Sequence, residues 1–149
     1  MMMLADILAN RLLIGVIAAL VLAQIIKTIT NSARGRKFSW SYLIYGVGGM
    51  PSSHTAVVTC LTISLLLLQG ISYLFVASLV FSLLVIRDAL GVRHAVGEEA
   101  KVINKLEKTV WKGKESKQVH LGEIIGHTPS EVAAGVALGT IVAFLVVYL

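Results

Sequence analysis

Two short segments of this chain combine side chains that could bind an anion and transfer a proton. The first, GGMPSSHTAV at 48–57, places a proline, two hydroxyls and a histidine at the mouth of an apolar run. Pro51 suits the first turn of a helix, because it lacks the N–H that would be unpaired there. The free N–H groups of that turn, with the hydroxyls of Ser52 and Ser53, would hold an anion, and His54 would act as a proton donor.

The second segment, GHTPSEVAAG at 126–135, is also predicted to begin a helix. Thr128, Pro129 and Glu131 match an N-cap, a first helical position and the glutamate of a capping box. His127 stands just outside the cap and has no such structural explanation. If both helices begin on one face of the protein, the two histidines can converge on one site.

Each segment also has a purely structural interpretation. The first fits a capped helix whose His54 lies at a membrane interface, and the capping box alone would explain Glu131. Gly49 lets the backbone turn sharply or come close to a ligand, so it fits both interpretations.

Basic side chains elsewhere in the chain could hold the oxygens of a phosphate. Lys27 lies at the end of the first apolar run and Arg34 follows seven residues later. Arg36 and Lys37 are explained by anchoring to the membrane surface.

A charged pair ends the third apolar run. Arg87 and Asp88 lie at its inner end, and Arg93 follows in the loop. Ionisable residues at such depth are functional candidates. Asp88 would either neutralise one of the two arginines or hold Arg93 toward a site.

Apolar segments dominate the chain. Of its 149 residues 56% are hydrophobic and only 14% are charged, whereas about a quarter are charged in soluble domains. Four segments are apolar over the roughly 20 residues that a membrane-spanning helix needs. They are residues 4–29 (with Arg11 as the alternative start), 51–68, 71–89 and 129–149. The sequence therefore predicts a single domain, an all-α integral membrane protein with a bundle of about four transmembrane helices.

The first apolar segment also has features of a signal peptide. Asp6 in its n-region and its direct continuation into polar residues favour a helix that is retained.

The basic residues predict the orientation of this bundle. The net charge is +5, and of thirteen Lys and Arg residues only Arg11 lies on the side of the termini. The others lie in or beside the polar connections, 30–50 and 90–128, so the positive-inside rule places the polar face in the cytoplasm. The aromatic-basic pattern of an RNA-binding surface does not occur, and we expect the lipid bilayer or an anionic lipid as partner, not nucleic acid.

Residues 97–112, within the second connection, are predicted to form an amphipathic helix. Ile103, Leu106 and Val110 recur at helical spacing, and lysines occupy the opposite side. This helix would either lie on the headgroups with its lysines toward anionic lipid or pack, solvated, on the protein's own loops.

Two further features concern packing. Cys60 is the only cysteine, so neither a disulfide framework nor a cysteine metal site is expected. Gly135 and Gly139 form a GxxxG motif, which predicts close packing with another helix, within the chain or in a homodimer.

Taken together, the motifs resemble those of the type 2 phosphatidic acid phosphatases and vanadium haloperoxidases. GGMPSSH is similar to their P-S-G-H motif, GHTPSEVAAG to the end of their S-R-x5-H-x3-D motif, and Lys27 with Arg34 to their K-x6-R-P motif. With RDALGVRHAVGEEAKVIN between them, the chain resembles the divergent branch of that superfamily over nearly its whole length.

The resemblance implies a membrane phosphatase that needs neither a metal nor a cofactor and acts on a phospholipid or isoprenyl phosphate. It implies that His127 attacks phosphorus and becomes phosphohistidine, that Glu131 orients it, and that His54 is the general acid. The phosphate-binding residues that it implies are Lys27, Arg34 and Ser52.

The chain departs from the family pattern at four positions. Gly35 replaces a proline, Ser53 a glycine, Glu131 an aspartate, and Leu121 the arginine six residues before His127. The last replacement removes a cation from the implied site.

Arg93 is our candidate to supply the missing cation, with Asp88 holding it in place.

Two functions stay open. One is a phosphatase that cleaves a lipid phosphomonoester or diphosphate. The other is a lipid- or phosphate-binding membrane protein or scaffold without turnover, which the lost arginine favours.

Overall fold

Five α-helices make up the described part of the chain. The computed structural model describes residues 10–33, 49–110, 121 and 127–149. The helices are α1 (Arg11–Ala33), α2 (Ser53–Gln69), α3 (Tyr73–Leu90), α4 (Val92–Val110) and α5 (Pro129–Tyr148). By length and composition, α1, α5 and the run from α3 into α4 can each cross a membrane, and α2 is a shorter apolar helix.

Helix α2 lies at the centre of the bundle and packs against α1, α3 and α5. The starts of α2 and α5 are adjacent, because the backbone N–H of Ser52 donates to the carbonyl oxygen of Glu131 at 2.9 Å. Arg11, at the start of α1, donates to the carbonyl oxygen of Val147 at the end of α5 at 3.0 Å. Therefore α2 and α5 run parallel to each other, and α1 runs antiparallel to α5.

The buried stripe of α1 repeats every four residues. It comprises Gly15, Ala19, Ala23, Lys27 and Asn31. Small residues let neighbouring helices approach closely, as is common in membrane bundles. The residues of this stripe are small except at its carboxyl end, where they are Lys27 and Asn31. The buried amine and amide of these two residues therefore lie at the same end of the bundle as the start of α5.

The GxxxG motif of α5 packs against α2 within the chain. A Cβ on Gly135 would lie 2.7 Å from the carbonyl oxygen of Ser52 and 2.9 Å from Thr55 Cβ. A Cβ on Gly139 would lie 3.0 Å from the backbone nitrogen of Cys60. Real Cβ atoms do not approach backbone this closely, so these positions require glycine.

Helix α3 presents apolar side chains outward and polar ones inward, the reverse of a soluble protein. Ser82 is buried, donates to the carbonyl oxygen of Val58 at 3.1 Å, and its Oγ lies 2.7 Å from Thr62 Oγ1. Leu83 and Leu84 are 59% and 61% exposed. Outward leucines around an inward hydroxyl pair are stable in hydrocarbon and not in water. The prediction of an all-α integral membrane protein is confirmed.

Helix α1 continues four residues beyond its predicted end at Ile29. Thr28 Oγ1 donates to the carbonyl oxygen of Gln24 at 2.8 Å, and Thr30 Oγ1 to that of Lys27 at 3.0 Å. Because these hydroxyls bond to the preceding turn of their own helix, they do not interrupt it.

Helix α4 follows α3 after one residue, Gly91, and begins five residues before the predicted start at 97. Its buried face consists of Gly97, Ala100 and Asn104. The apolar residues that defined the predicted helix, such as Ile103, point away from that face. Residues 111 and 112, the predicted end, lie outside the described residues.

Candidate active site

One carboxylate oxygen at the start of α5 both caps the helix and holds a histidine. Glu131 Oε2 accepts a hydrogen bond from the backbone N–H of Thr128 at 3.1 Å, and the Thr128 side chain accepts from Glu131 N at 3.4 Å. The same oxygen lies 3.1 Å from His127 Nδ1. The capping and orienting roles, which the sequence presents as alternatives for Glu131, therefore coexist in one geometry.

This contact determines which ring nitrogen of His127 is available for chemistry. A carboxylate at Nδ1 favours the tautomer with the proton on Nδ1, which leaves the lone pair on Nε2. The side chains of His127 and Glu131 are only 7% and 14% exposed. Limited contact with water strengthens the hydrogen bond and restricts the rotation of the ring.

Backbone hydrogen bonds bring three helix ends together at His127. The N–H of His127 donates to the carbonyl oxygen of Ala89 at 3.2 Å, in the last turn of α3. The carbonyl oxygens of a last helical turn have no partner within their own helix. The link between Ser52 and Glu131 adds the start of α2. The predicted convergence of the two motif segments on one end of the bundle is thus present in the structure.

The start of α2 differs from the prediction for Pro51. The helix begins at Ser53, so Pro51 lies before it and not in its first turn. Ser52 is the N-cap, because its side chain accepts from the backbone N–H of Thr55 at 3.4 Å and from Thr55 Oγ1 at 3.0 Å. Ser52 is fully buried, and its hydroxyl oxygen is used within the helix start.

The neighbours of this cap occupy distinct environments. Ser53 is buried, whereas His54 is exposed in the first turn of α2. Gly49 has a φ of 94°, which L-residues with a side chain rarely adopt, so a glycine is required there for the chain to turn. The adjacent Gly48 lies outside the described residues.

Lys27 brings a buried positive charge to the same region. It is 2% exposed, and burial disfavours the charged form of its amine more than the nearby Glu131 carboxylate favours it. Asn31, one turn later, is 5% exposed. The single hydrogen of the Thr30 hydroxyl is shared between the carbonyl oxygens of Lys27, at 3.0 Å, and Met50, at 2.8 Å, and the second contact joins the end of α1 to the segment before α2. Because a nearby anion offsets part of the cost of burying a charged amine, the charge of Glu131 influences the charge of Lys27.

For the remaining predicted residues the structure gives only part of the environment. Arg34 lies outside the described residues. Arg93 is in the first turn of α4, and its side chain lies outside the described part of the chain. Asp88 is half-buried in the last turn of α3, beside the carbonyl group that receives the N–H of His127. The hypothesis that Asp88 holds Arg93 stays a prediction.

Asn104 is a residue that the sequence pattern did not single out. Its Nδ2 donates to the carbonyl oxygen of Leu121 at 2.9 Å, and its Oδ1 accepts from the N–H of Leu121 at 3.1 Å. Asn104 is 2% exposed. The sequence did contain one indication of its role, because Asn104 is an uncharged amide between the apolar and the basic face of the helix. Such a side chain is stable in a buried position only when both its donor and its acceptor are hydrogen-bonded.

The arrangement suits nucleophilic chemistry on an anion. It offers an oriented imidazole, a carboxylate to stabilise positive charge on that ring, a buried ammonium, and the N–H groups of the first turn of α2. Among the described residues, no cluster of three or more His, Cys, Asp or Glu side chains has the arrangement of a metal site.

Two comparisons with known proteins found a match. A family model described as the Divergent PAP2 family matches residues 8–142. The uncharacterized membrane protein YuiD of Bacillus subtilis (strain 168) is similar, with 38% identity over 155 residues, which cover 96% of this chain and 98% of that protein. No solved structure matches the chain.

Proposed function

This chain belongs to the Divergent PAP2 family, and from that premise we propose that it is a membrane phosphatase that hydrolyses a lipid phosphate through a phosphohistidine on His127. The substrate class is a phosphomonoester or a diphosphate of a phospholipid or isoprenoid. Neither a metal nor a cofactor takes part in the proposed reaction.

The observation that carries the proposal is the 3.1 Å contact between His127 Nδ1 and Glu131 Oε2. With the proton on Nδ1, the lone pair of Nε2 attacks phosphorus, and an N–P bond forms as the P–O bond to the lipid breaks. Glu131 stabilises the positive charge that develops on the ring. Water then attacks the phosphohistidine, the N–P bond breaks, and inorganic phosphate leaves.

His54 is assigned the proton transfers. It donates a proton to the lipid oxygen as that oxygen leaves, and it accepts a proton from the attacking water in the second step. An exposed position in the first turn of α2 suits a residue that must reach a leaving group at the headgroup surface.

The phosphoryl oxygens are assigned to cations and backbone N–H groups. Lys27 and the first turn of α2 at Ser53 are the described candidates, and Arg34 and Arg93 are proposed as further cations. Ser52 Oγ already accepts two hydrogen bonds. It would therefore assist only by donating its own hydrogen.

The proposed site faces the cytoplasm. The charge bias of the polar connections supports this side, because twelve of the thirteen Lys and Arg residues lie in or beside them. Since the site lies at the starts of two apolar helices, a lipid headgroup can approach it while the acyl chains stay in the bilayer.

Phosphate release by the purified full-length protein tests the proposal. The substrates are phosphatidate, phosphatidylglycerol phosphate and an isoprenyl diphosphate, without added metal, for wild type and His127→Asn. Ser130→Ala is the matched control at the same helix start, because Ser130 is exposed and its hydroxyl lies in the cap, 3.0 Å from Thr128 Oγ1. Release by wild type and by the Ser130 variant, and none by the His127 variant, is the expected result.

Trapping labelled phosphate on the protein distinguishes the proposed mechanism from other phosphatase mechanisms. Acid-labile, base-stable label that disappears in His127→Asn is expected of a phosphohistidine. Turnover that persists in that variant contradicts the proposal.

The second candidate is a phosphate- or lipid-binding protein without turnover. Leu121 favours it, because the family pattern has an arginine there and the leucine supplies no charge. Binding of vanadate, measured in parallel with phosphate release, separates the two functions. Saturable binding by a folded protein that releases no phosphate from any substrate would support the second candidate.

A further inference from the structure

Helix α4 has an apolar surface that the described part of the protein leaves uncovered. Val102, Ile103 and Leu106 are 58%, 50% and 57% exposed. Their spacing places them on one side of the helix, and we call them the α4 apolar face. Glu99, also exposed, separates this face from the apolar residues of the first two turns, so the surface is confined to the carboxyl-terminal half of α4.

The protein's own packing occupies a different side of α4. Gly97, Ala100 and Asn104 form the buried side, and the two hydrogen bonds between Asn104 and Leu121 fix the rotation of the helix about its axis. With that rotation fixed, the α4 apolar face cannot turn inward without breaking both bonds. Something outside the described chain must cover it.

Basic side chains flank the α4 apolar face. Lys101 and Lys105 are exposed and lie one turn apart, and Lys105 follows Val102 by three residues. Lys101 contacts Glu98 at 2.6 Å, but an exposed ion pair of this kind is weak and leaves the lysine able to exchange partners. Apolar side chains beside long cationic ones form the pattern of a helix that lies in the headgroup region.

The position of α4 in the chain agrees with such a partner. It begins one residue after α3, whose outward surface is apolar, and Gly91 between them has φ −101° and ψ −89°, outside helical values. The backbone therefore departs from helical geometry at the junction. Since α3 has 18 residues, about the length that crosses a bilayer, we expect α4 to begin near the bilayer surface.

We infer that the carboxyl-terminal half of α4 binds the anionic headgroup layer of the protein's own bilayer, with Val102, Ile103 and Leu106 inserted and Lys101 and Lys105 against lipid phosphates. A second copy of the chain suits this surface less well. The face covers about one and a half helical turns, which is short for a helix–helix interface in water, and a paired copy would bring more lysines beside these.

Site-directed spin labelling of the full-length protein in vesicles tests this inference. Wild type has one cysteine, Cys60, which is buried, so it serves as the unlabelled control. Nitroxides are attached at Ile103→Cys and Leu106→Cys on the apolar face, and at Lys101→Cys on the basic flank, about 140–160° around the helix from those two positions. Accessibility to oxygen, which partitions into lipid, is compared with accessibility to a water-soluble nickel chelate.

In vesicles of phosphatidylcholine with a third of phosphatidylglycerol, we expect the labels at 103 and 106 to be accessible to oxygen and protected from nickel, and the label at 101 to show the reverse. Equal nickel accessibility at all three positions would overturn the inference. Magnetic broadening between labels at 103 on different copies would show a protein partner, and would overturn it too.

The lysines are tested in the Ile103→Cys background. Replacing Lys101 and Lys105 by glutamine should lower the ratio of inserted to detached helix by about fivefold for each lysine, and replacement by arginine should preserve it. The same insertion in vesicles of phosphatidylcholine alone would contradict the requirement for anionic lipid.

Discussion

Replacing Glu131 by glutamine removes the charge from a carboxylate that has two hydrogen-bond partners and that favours the charged form of a buried amine. Its Oε2 lies 3.1 Å from both His127 Nδ1 and the N–H of Thr128, and it attracts the buried Lys27. A glutamine keeps an oxygen that can accept the N–H of Thr128, so we expect the helix start to persist. The charge beside the imidazole is what the substitution removes.

The expected loss of rate follows from the hydrogen bond between Glu131 and His127. A hydrogen bond to a charged group contributes roughly 1.5–3 kcal/mol, and 1.36 kcal/mol of barrier corresponds to a tenfold change in rate. The glutamine oxygen can still accept from Nδ1 as a neutral group, which contributes about 0.5–1.5 kcal/mol. The difference of about 1–1.5 kcal/mol should lower kcat by about 5- to 13-fold. KM should change less, because the positive charge on His127 develops only as phosphorus is attacked.

The same substitution should lower stability, because Lys27 is 2% exposed and loses the anion that attracts it. Coupling energies within such networks are about 0.5–3 kcal/mol. Adding Lys27→Met to Glu131→Gln removes the uncompensated charge. We expect the double variant to recover thermal stability and not turnover.

Steady-state phosphate release and thermal unfolding of the purified protein in one detergent measure these effects. Thr128→Ala is the matched control, because it removes the cap that accepts from Glu131 N at 3.4 Å and leaves the carboxylate. It should cost about 1 kcal/mol of stability and change kcat little.

Two results would refute this reasoning. A folded Glu131→Gln protein with the kcat of wild type would reduce Glu131 to a helix cap. A loss of rate in Thr128→Ala as large as that in Glu131→Gln would attribute the effect to a disordered helix start and not to the charge.

Three further substitutions test the packing that supports the site. Gly135→Ala should lower stability by about 1–3 kcal/mol through overpacking, because its Cβ would lie 2.7 Å from a carbonyl oxygen of α2, whereas Gly15→Ala, with its nearest contact at 3.4 Å, should be tolerated in the same thermal unfolding assay. Ser82→Ala breaks the 2.7 Å contact between α2 and α3 and should cost about 0.6 kcal/mol, measured by unfolding in mixed detergent micelles. Asn104→Ala leaves two backbone groups unpaired and should cost about 1–3 kcal/mol. Asn104→Asp, which can still accept from the N–H, should recover part of the loss of melting temperature.

Much of the fold could be predicted from the sequence, because membrane-spanning helices are recognisable by their long apolar segments. Long apolar runs and the cap at Thr128 predicted helices whose observed bounds lie within about five residues of the expected ones. The errors concern helix ends, where hydroxyl groups changed the outcome. Thr30 continued α1, and Ser52 displaced Pro51 from the first turn of α2.

The candidate site was predictable only in part. The motif residues His127 and Glu131 are four apart, so their contact is local and accessible to sequence reasoning. The electrostatic attraction between Lys27 and Glu131 joins residues more than a hundred positions apart. The hydrogen bonds between Asn104 and Leu121 could not be predicted from the periodicity of the sequence.

The sequence by itself determined the class of protein and the capped start of α5, because hydropathy and helix caps depend on a few neighbouring residues. The tertiary structure alone decided which helix faces meet. In a membrane protein, surfaces toward lipid and surfaces toward other helices are both largely apolar, so hydrophobic periodicity does not distinguish them. Close backbone approach at Gly135 and Gly139 sets the register of α5 on α2, and the backbone bonds from His127 to Ala89 and from Ser52 to Glu131 join the ends of α2, α3 and α5 at one site.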